Sequence, residues 1–266
     1  MSYYTSISGL KNAQSDLNVI SHNIANAETN GFKKSRTDFA DIVASSSFTN
    51  PKQIQGIGSA VSSITQTFSV GPIEQTGSAL DVAITGDGFF EVKSPTGDTM
   101  FTRNGSFSVD EQGFINDGSS NRLQAFPAGA GATGTPGAVQ VPAANASGSA
   151  FVGVTISGRG AISASYADGS VMDMGTVALS SFIAPEGLKQ VGNSNWKVTG
   201  LSGAPQRGTP DSGNFGGLLS GSIEHSNVDI SEELVNLITA QRYFQANAKA
   251  IDTATQISQT IIQLRT

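Results

Sequence analysis

The chain has 266 residues, a formal net charge of −6, 38 % hydrophobic and only 14 % charged residues, 31 glycines and no cysteine. That length allows one or two domains around a substantial core. An acidic chain argues against a nucleic-acid partner, which needs clustered Lys and Arg, and the lack of Cys excludes a disulfide framework and a thiolate zinc site. Average chains carry roughly 25 % charged residues, so this surface is polar but weakly charged and suits close packing against copies of itself.

No run approaches the roughly 18 apolar residues of a spanning helix, so membrane insertion is not expected. The first residues, MSYYTSISGLKNAQ, lack the basic-then-apolar order of a secretory signal. If the protein leaves the cytoplasm, it is expected to do so uncut.

In chain order, the first element is a helix expected over about residues 5–27. Leu10, Leu17 and Ile24 are seven apart on one row, and Ala13, Ile20 and Ala27 on its companion, the a and d positions of a heptad. Asn30-Gly31 is the expected stop, since both residues tolerate the left-handed conformation. Lys33-Lys34-Ser35-Arg36 is the densest basic spot and reads as a solvated face or a contact with a neighbouring subunit. Residues 31–75 read as an extended connecting segment.

From ALDVAITGDGFFEV onwards, short apolar and β-branched runs recur every eight to twelve positions, punctuated by Gly-Asp-Gly, Asn-Gly and Asp-Gly turns. This is the pattern of consecutive β-hairpins. Residues 128–150 form a Gly/Ala/Pro-rich low-complexity loop. Strand-like runs resume at VGVTISGRGAISASY, and 200–217 is again rich in turns. The last element is a helix expected over 231–264, a span free of Gly and Pro. Asp229 or Ser231 would be its N-cap, and Glu232 and Glu233 would favour its dipole.

The fold class is therefore α+β. Long N- and C-terminal helices pair as a coiled coil, and a β-rich domain of hairpins lies between them. In domain terms, 1–30 joins 226–266, 31–75 connects, and 76–225 is the β domain. The expected assembly seam comprises Leu10, Leu17, Ile20, Asn23, Ile24 and Asn26 on the first helix. On the second it comprises Leu234, Leu237, Gln241, Phe244, Asn247, Ile251, Ile261 and Leu264. Amides flank it, and because they donate and accept at once they suit uncharged bonding between neighbouring helices. An ordinary antiparallel coiled coil with a solvated amide face is the plainer alternative.

Enzymatic chemistry finds little purchase. His22 and His225 are isolated, and neither a G-x-S-x-G elbow nor a phosphate-binding loop occurs. Asp81, Asp87, Glu91 and Asp98 would be the carboxylates of a glycoside hydrolase, yet two of them sit in turns. The segment DEQGFINDG, residues 110–118, does not keep calcium-loop spacing. Trp196 reads as a core residue. No catalytic, cofactor-binding or metal-binding residue is assigned. A secreted carbohydrate-binding protein or hydrolase is the alternative of a different class.

The segment NVISHNIANAETNGFKKSRTDFADIVA resembles the N-terminal signature of bacterial flagellar axial proteins, those of the rod and hook. Leu17, Val19, Ile20, Asn23, Ile24, Ala25 and Asn26 stand at its helix end, and Thr29, Gly31, Phe32 and Lys33 form its turn motif. The C-terminal stretch from Glu224 through Asn247, and the central GSALDVAITGDGFFEV and FTRNGSFSVDEQGFI, are similar to other parts of the same family. Within it the chain is most like the hook protein, in a short form lacking the outer inserted domain; a distal or proximal rod protein of the basal body is the alternative. The resemblance implies a structural subunit that is exported unfolded by the flagellar type III apparatus and assembles into a helical tube outside the cytoplasmic membrane. The hook reading adds a universal joint transmitting torque for motility. Implied partners are further copies and the adjoining rod, hook-cap and hook–filament junction proteins. In free subunits, residues 1–30 and 230–266 are expected to be frayed.

Overall fold

The computed structural model describes residues 2–44, 55–129, 131 and 134–263. The chain divides into two units, one of residues 1–27, 34–67 and 228–266, the other of 28–33 and 68–227.

The first unit is built on helix α1, Ser2–Ala25, and helix α2, Ile230–Gln263. Strand β1, Ser35–Ala44, pairs antiparallel with β2, Gln55–Gln66, so part of the segment expected to be merely extended forms a ribbon. Register shifts at Asp38/Phe39 and Ile42/Val43 mark bulges in that ribbon. α1 ends sooner than Asn30-Gly31 because its last turn tightens: the Asn26 amide donates to both His22 O and Asn23 O, at 3.2 and 3.1 Å. For α2, the N-cap is Asp229. Its Oδ1 accepts from the Ser231 and Glu232 amides at 2.8 and 3.2 Å, satisfying two of the donors that a helix start leaves open.

α1 packs on both α2 and the ribbon. Close approach to the ribbon is possible where Gly58, with φ +138°, faces Ser8: an added Cβ would strike the Ser8 hydroxyl. Asn12 Nδ2 donates to Ser59 Oγ at 2.7 Å on the same face. On the α2 side, a Cβ at Gly9 would lie 2.6 Å from Asn247 Oδ1.

The second unit carries the β-rich middle as short antiparallel strands. Its main sheet runs in the order Phe151–Ile156, Ala161–Tyr166, Val171–Val177, Arg122–Phe126, Phe89–Lys93, Thr99–Thr102, Asn195–Lys197 and Lys189–Gly192. The turn 94–98 joins Phe89–Lys93 to Thr99–Thr102 as a hairpin, as the Pro-Thr-Gly-Asp sequence leads one to expect. A core of Val82, Ile84, Phe90, Val92, Ile115, Leu123, Ile162 and Leu179 fills one side. Trp196, fully buried, packs with Phe89, Phe101 and Leu188 in a second cluster, meeting Phe89 and Phe68 edge to face.

Two stretches read as loops do more than connect. Within 128–150, Gly137–Ala138 pairs with Arg122–Phe126, and Val139 and Val141 are buried in the first core. Within 200–217, Gln206–Gly208 pairs with Leu179–Ser181. In the first, the alternation of Val139 and Val141 is too short to register as a strand; in the second, Gln206–Gly208 has no apolar pattern at all and becomes a strand only by pairing to a distant partner.

Candidate assembly surface

The expected seam residues separate into three classes. Ile20 and Asn23 are buried, while Leu10, Leu17, Ile24, Asn26, Leu237, Phe244, Asn247 and Ile251 are half-buried. Leu234, Gln241 and Ile261 are exposed, and Leu264 lies outside the described residues. Within the first unit α1 and α2 therefore use one face of each helix on one another. Val19 and Glu233 are also buried there. Glu233 escaped the apolar reading because it is charged, although it stands seven residues before Ala240 on the same row.

α2 keeps a second apolar face open. On it Leu234, Val235, Ile238 and Ile257 are exposed, Val235 by 63 %; Ile261 and Ile262, near the end of the helix, are exposed too but point to other sides. Isolated surface apolar residues need no explanation, but several on a single helix mark an interaction surface.

The amides have more local partners than expected. Asn23 Nδ2 donates to Ser35 O at 2.8 Å and Asn23 Oδ1 accepts from the Ser35 amide at 2.9 Å, so its side chain completes the start of β1 as a strand neighbour would. The same Nδ2 reaches Glu233 Oε2 of α2 at 3.1 Å. Gln14 bonds Asn18 on its own helix at 3.1 Å, and Asn247 donates to Tyr243 O at 2.9 Å. These bonds fix the helices and ribbon of one chain, and the Asn23–Glu233 bond joins α1 to α2.

The basic spot after the first helix is a correction. Lys33 is neither solvated nor free for a neighbour: it is completely buried, and its ammonium donates to Glu224 Oε1 at 2.5 Å and to Ser69 O at 2.6 Å. Glu224 Oε1 also accepts from the Gly71 amide at 3.0 Å, and its Oε2 faces Arg103 Nη1 at 3.5 Å. Burial lowers the pKa of both Lys33 and Arg103, against the pull of the Glu224 carboxylate. Lys34 meets Glu233 at 2.8 Å and Glu232 at 3.2 Å; burial alone would lower its pKa, but these two carboxylates outweigh it and raise it. Arg36 pairs with Asp38. Lys33 and Arg103 share a carboxylate within the chain because a buried cation without one is far too costly, whereas Arg36 stays largely solvated, as a solvated face would have it.

The turn motif gains its geometry from the same cluster. Gly31 adopts φ +68° and its amide donates to the backbone carbonyl of Glu224 at 2.8 Å. A Cβ there would sit 2.5 Å from the Asn104 amide nitrogen. Phe32 is buried, and its amide donates to Thr29 O at 3.2 Å. Thr29, Gly31, Phe32 and Lys33 thus form one tie joining residues 28–33 to the segment around Glu224.

The groups weighed for enzymatic chemistry are drawn into structural bonds. Glu91 takes Arg207 through both carboxylate oxygens at 2.7 and 2.9 Å and Ser180 at 3.2 Å. Asp98 pairs with Lys197, and Asp81 accepts from Thr76 Oγ1 at 2.6 Å. Asp110 Oδ1 accepts the Gln112 and Phe114 amides, closing its own turn. His225 Nε2 lies 2.7 Å from Glu74. Among the described residues no three or more His, Cys, Asp or Glu side chains converge on a metal position.

Comparison with known proteins accounts for this arrangement. Residues 4–33 match the flagella basal body rod protein family, 83–164 the flagellar hook protein FlgE/F/G D1 domain, and 219–264 the flagellar basal body rod FlgEFG protein C-terminal family. The flagellar basal-body rod protein FlgG of Bacillus subtilis is 36 % identical over 276 aligned positions, covering 99 % of this chain and 98 % of that protein. FlgG of Caulobacter vibrioides is 35 % identical over 275 positions, with 98 % of each chain covered. The flagellar hook protein FlgE of Salmonella typhimurium is 27 % identical over an alignment of 414 positions that takes in 100 % of each. Similar along almost its whole length to these proteins, the chain belongs to the flagellar rod and hook protein family and is a structural component of the flagellar axis.

Proposed function

We propose that the chain is a subunit of the flagellar basal-body rod. The observation that carries this reading is the collinear match to rod proteins: 36 % identity over 276 positions for a chain of 266 residues. The hook protein aligns only by spreading the same residues over 414 positions, at 27 % identity. The preference for a short hook protein rested on local likeness around the turn motif and the chain end; whole-chain length and identity favour the rod.

In this role the protein is non-enzymatic. Paired terminal helices act as a coiled coil whose outer face is covered by copies in a helical tube, with adjoining rod and hook proteins at its two ends. The subunit reaches its place outside the cytoplasmic membrane through the flagellar export apparatus. Heterologous contacts that do not close on themselves generate such a tube. The exposed apolar face of α2 supports this reading, since none of the described residues covers it.

The test is to locate an epitope-tagged, functional version of the chain in isolated hook–basal bodies by gold labelling. Label on the rod supports the proposal. Label confined to the hook would return the assignment to the hook protein, and label on neither would reject an axial role.

A further inference from the structure

The first unit contains a cavity of about 300 Å³ between α1, β1 and the start of α2. Its polar lining is rich in acceptors: Asp16, Asn23, Thr37, Glu232, Glu233 and Asn236. Val19, Ile20, Phe39 and Ala240 supply apolar surface beside them. Two cations line it, and both are already engaged: Lys34 by Glu232 and Glu233, Arg36 by Asp38. Asp16 is in no ion pair among the described residues. Burial raises its pKa and the nearby Glu233 charge raises it further, although the Thr37 hydroxyl beside it works the other way. Thr37 is itself 7 % exposed, and its Oγ1 makes no hydrogen bond of proper geometry. The cavity thus presents an under-compensated carboxylate, an unmatched buried hydroxyl and apolar walls. Those features suit a cation on a long apolar stem.

α2 offers such a group on its outer face. Arg242 is exposed and in no ion pair among the described residues. Val235 and Ile238 stand seven and four residues before it, on the same exposed face. Lys249, one heptad further on, has Arg242 and Gln245 at those two spacings instead of an apolar pair. We propose that the cavity of one copy receives the guanidinium of Arg242 from a second copy, with Asp16 and the Thr37 hydroxyl as its acceptors. The apolar pair Val235 and Ile238 would then rest against the cavity's apolar rim. The donor and the acceptor are different patches of the chain, so the contact is head-to-tail and repeats along a polymer. A planar guanidinium can serve a carboxylate and a hydroxyl together, which an ammonium does less well. This inference rests on the rod reading and specifies one of its subunit contacts.

The absence of native cysteine gives a clean test. One chain carrying Asp16→Cys and another carrying Arg242→Cys are expressed together in cells, and the assembled axial structures are isolated and oxidised. The expected result is a disulfide-linked dimer containing one chain of each kind, absent when either variant is present alone. Asn236→Cys, on the same cavity, serves as a second acceptor-side position and should cross-link to Arg242→Cys likewise. In parallel, Asp16→Lys and Arg242→Glu should each shorten or abolish assembly, and the two changes combined in one chain should restore it. Assembled structures that cross-link at neither acceptor-side position would overturn the contact while leaving the rod reading intact. An unsubstituted chain absent from the flagellar axis would overturn both.

Discussion

Removing the charge of Glu224 should unfold the β unit more readily than any exposed ion-pair change in the chain. The Glu224 carboxylate is fully buried and serves Lys33 at 2.5 Å, Arg103 at 3.5 Å and the Gly71 amide at 3.0 Å. In Glu224→Gln, two buried cations lose the carboxylate they share, and breaking a buried pair from one side costs about 3–5 kcal/mol. For a unit of this size that corresponds to roughly 6–20 °C in melting midpoint. Lys33→Met should cost less, about 1–3 kcal/mol, because Arg103 and the Gly71 amide still neutralise the remaining carboxylate. Lys197→Met is the control: both ends of the Lys197–Asp98 pair are solvent-accessible, so about 0–1 kcal/mol is at stake. The sole tryptophan, Trp196, is buried in the β unit, so its fluorescence during urea unfolding of the full chain reports that unit. The order Glu224→Gln, then Lys33→Met, then Lys197→Met is expected. A Glu224→Gln midpoint no lower than that of the Lys197 control would refute the account of the buried cluster.

The same cluster sets a pH dependence. Burial holds the folded-state pKa of Lys33 below its ordinary 10.5, so between the two values the unfolded chain binds more protons and stability should rise with pH. Lys33→Met should remove that rise in alkaline urea titrations, and an unchanged slope would contradict it. Gly31→Ala combines a φ of +68° with a Cβ only 2.5 Å from the Asn104 amide nitrogen. A loss of about 2–4 kcal/mol is expected by Trp196 fluorescence, from the left-handed penalty plus overpacking. Gly9→Ala would press on the Asn247 side chain, with its Cβ 2.6 Å from Oδ1. It should weaken helix pairing, and Asn247→Ala in the same chain should restore it, as read by circular dichroism melting of the helical signal. Finally, Phe244→Asp strikes a half-buried position and should loosen the helix pair within one chain, whereas Ile261→Asp strikes a residue 60 % exposed. The second should leave helix content unchanged and yet stop assembly; electron microscopy of basal bodies distinguishes the two.

Seven-residue spacing made both helices legible, since Leu10, Leu17 and Ile24 can share a side only in a helix. The limits of α1 moved because its last turn tightened before the Asn-Gly stop, a matter of local bonding that spacing does not carry. The hairpins of the middle were readable from their Gly-containing turns. The ribbon was not: Ser35–Ala44 and Gln55–Gln66 are separated by ten residues of sequence that hold no Asn-Gly or Asp-Gly pair. Asn23 does bond a neighbouring helix, through Glu233 of α2, but nothing near it in the sequence announces that it also bonds the Ser35 backbone. Lys33 was misread for the same reason. Lysine is almost never fully buried without a partner, and the partner here lies 191 residues downstream. The rod and hook readings diverged because the turn motif belongs to the family as a whole, whereas chain length separates its members.

The low charge content takes on a physical meaning once these pairs are located. Glu91 is spent on Arg207, Asp98 on Lys197, Glu224 on Lys33, and Glu233 on Lys34, all within one chain. These eight charged residues, in a chain where only 14 % are charged, are thereby committed internally. Long-range fields speed encounters but are blunted by salt within about 10 Å. A component of a fixed axis gains little from fast encounter and more from contacts indifferent to ionic strength. In the proposed assembly the exposed apolar face of α2 would be such a contact, and the Asp16 cavity would receive a single charged group that sets register where apolar packing alone would slide. Apolar area would then supply the cohesion between copies, and one sheltered cation would select their alignment.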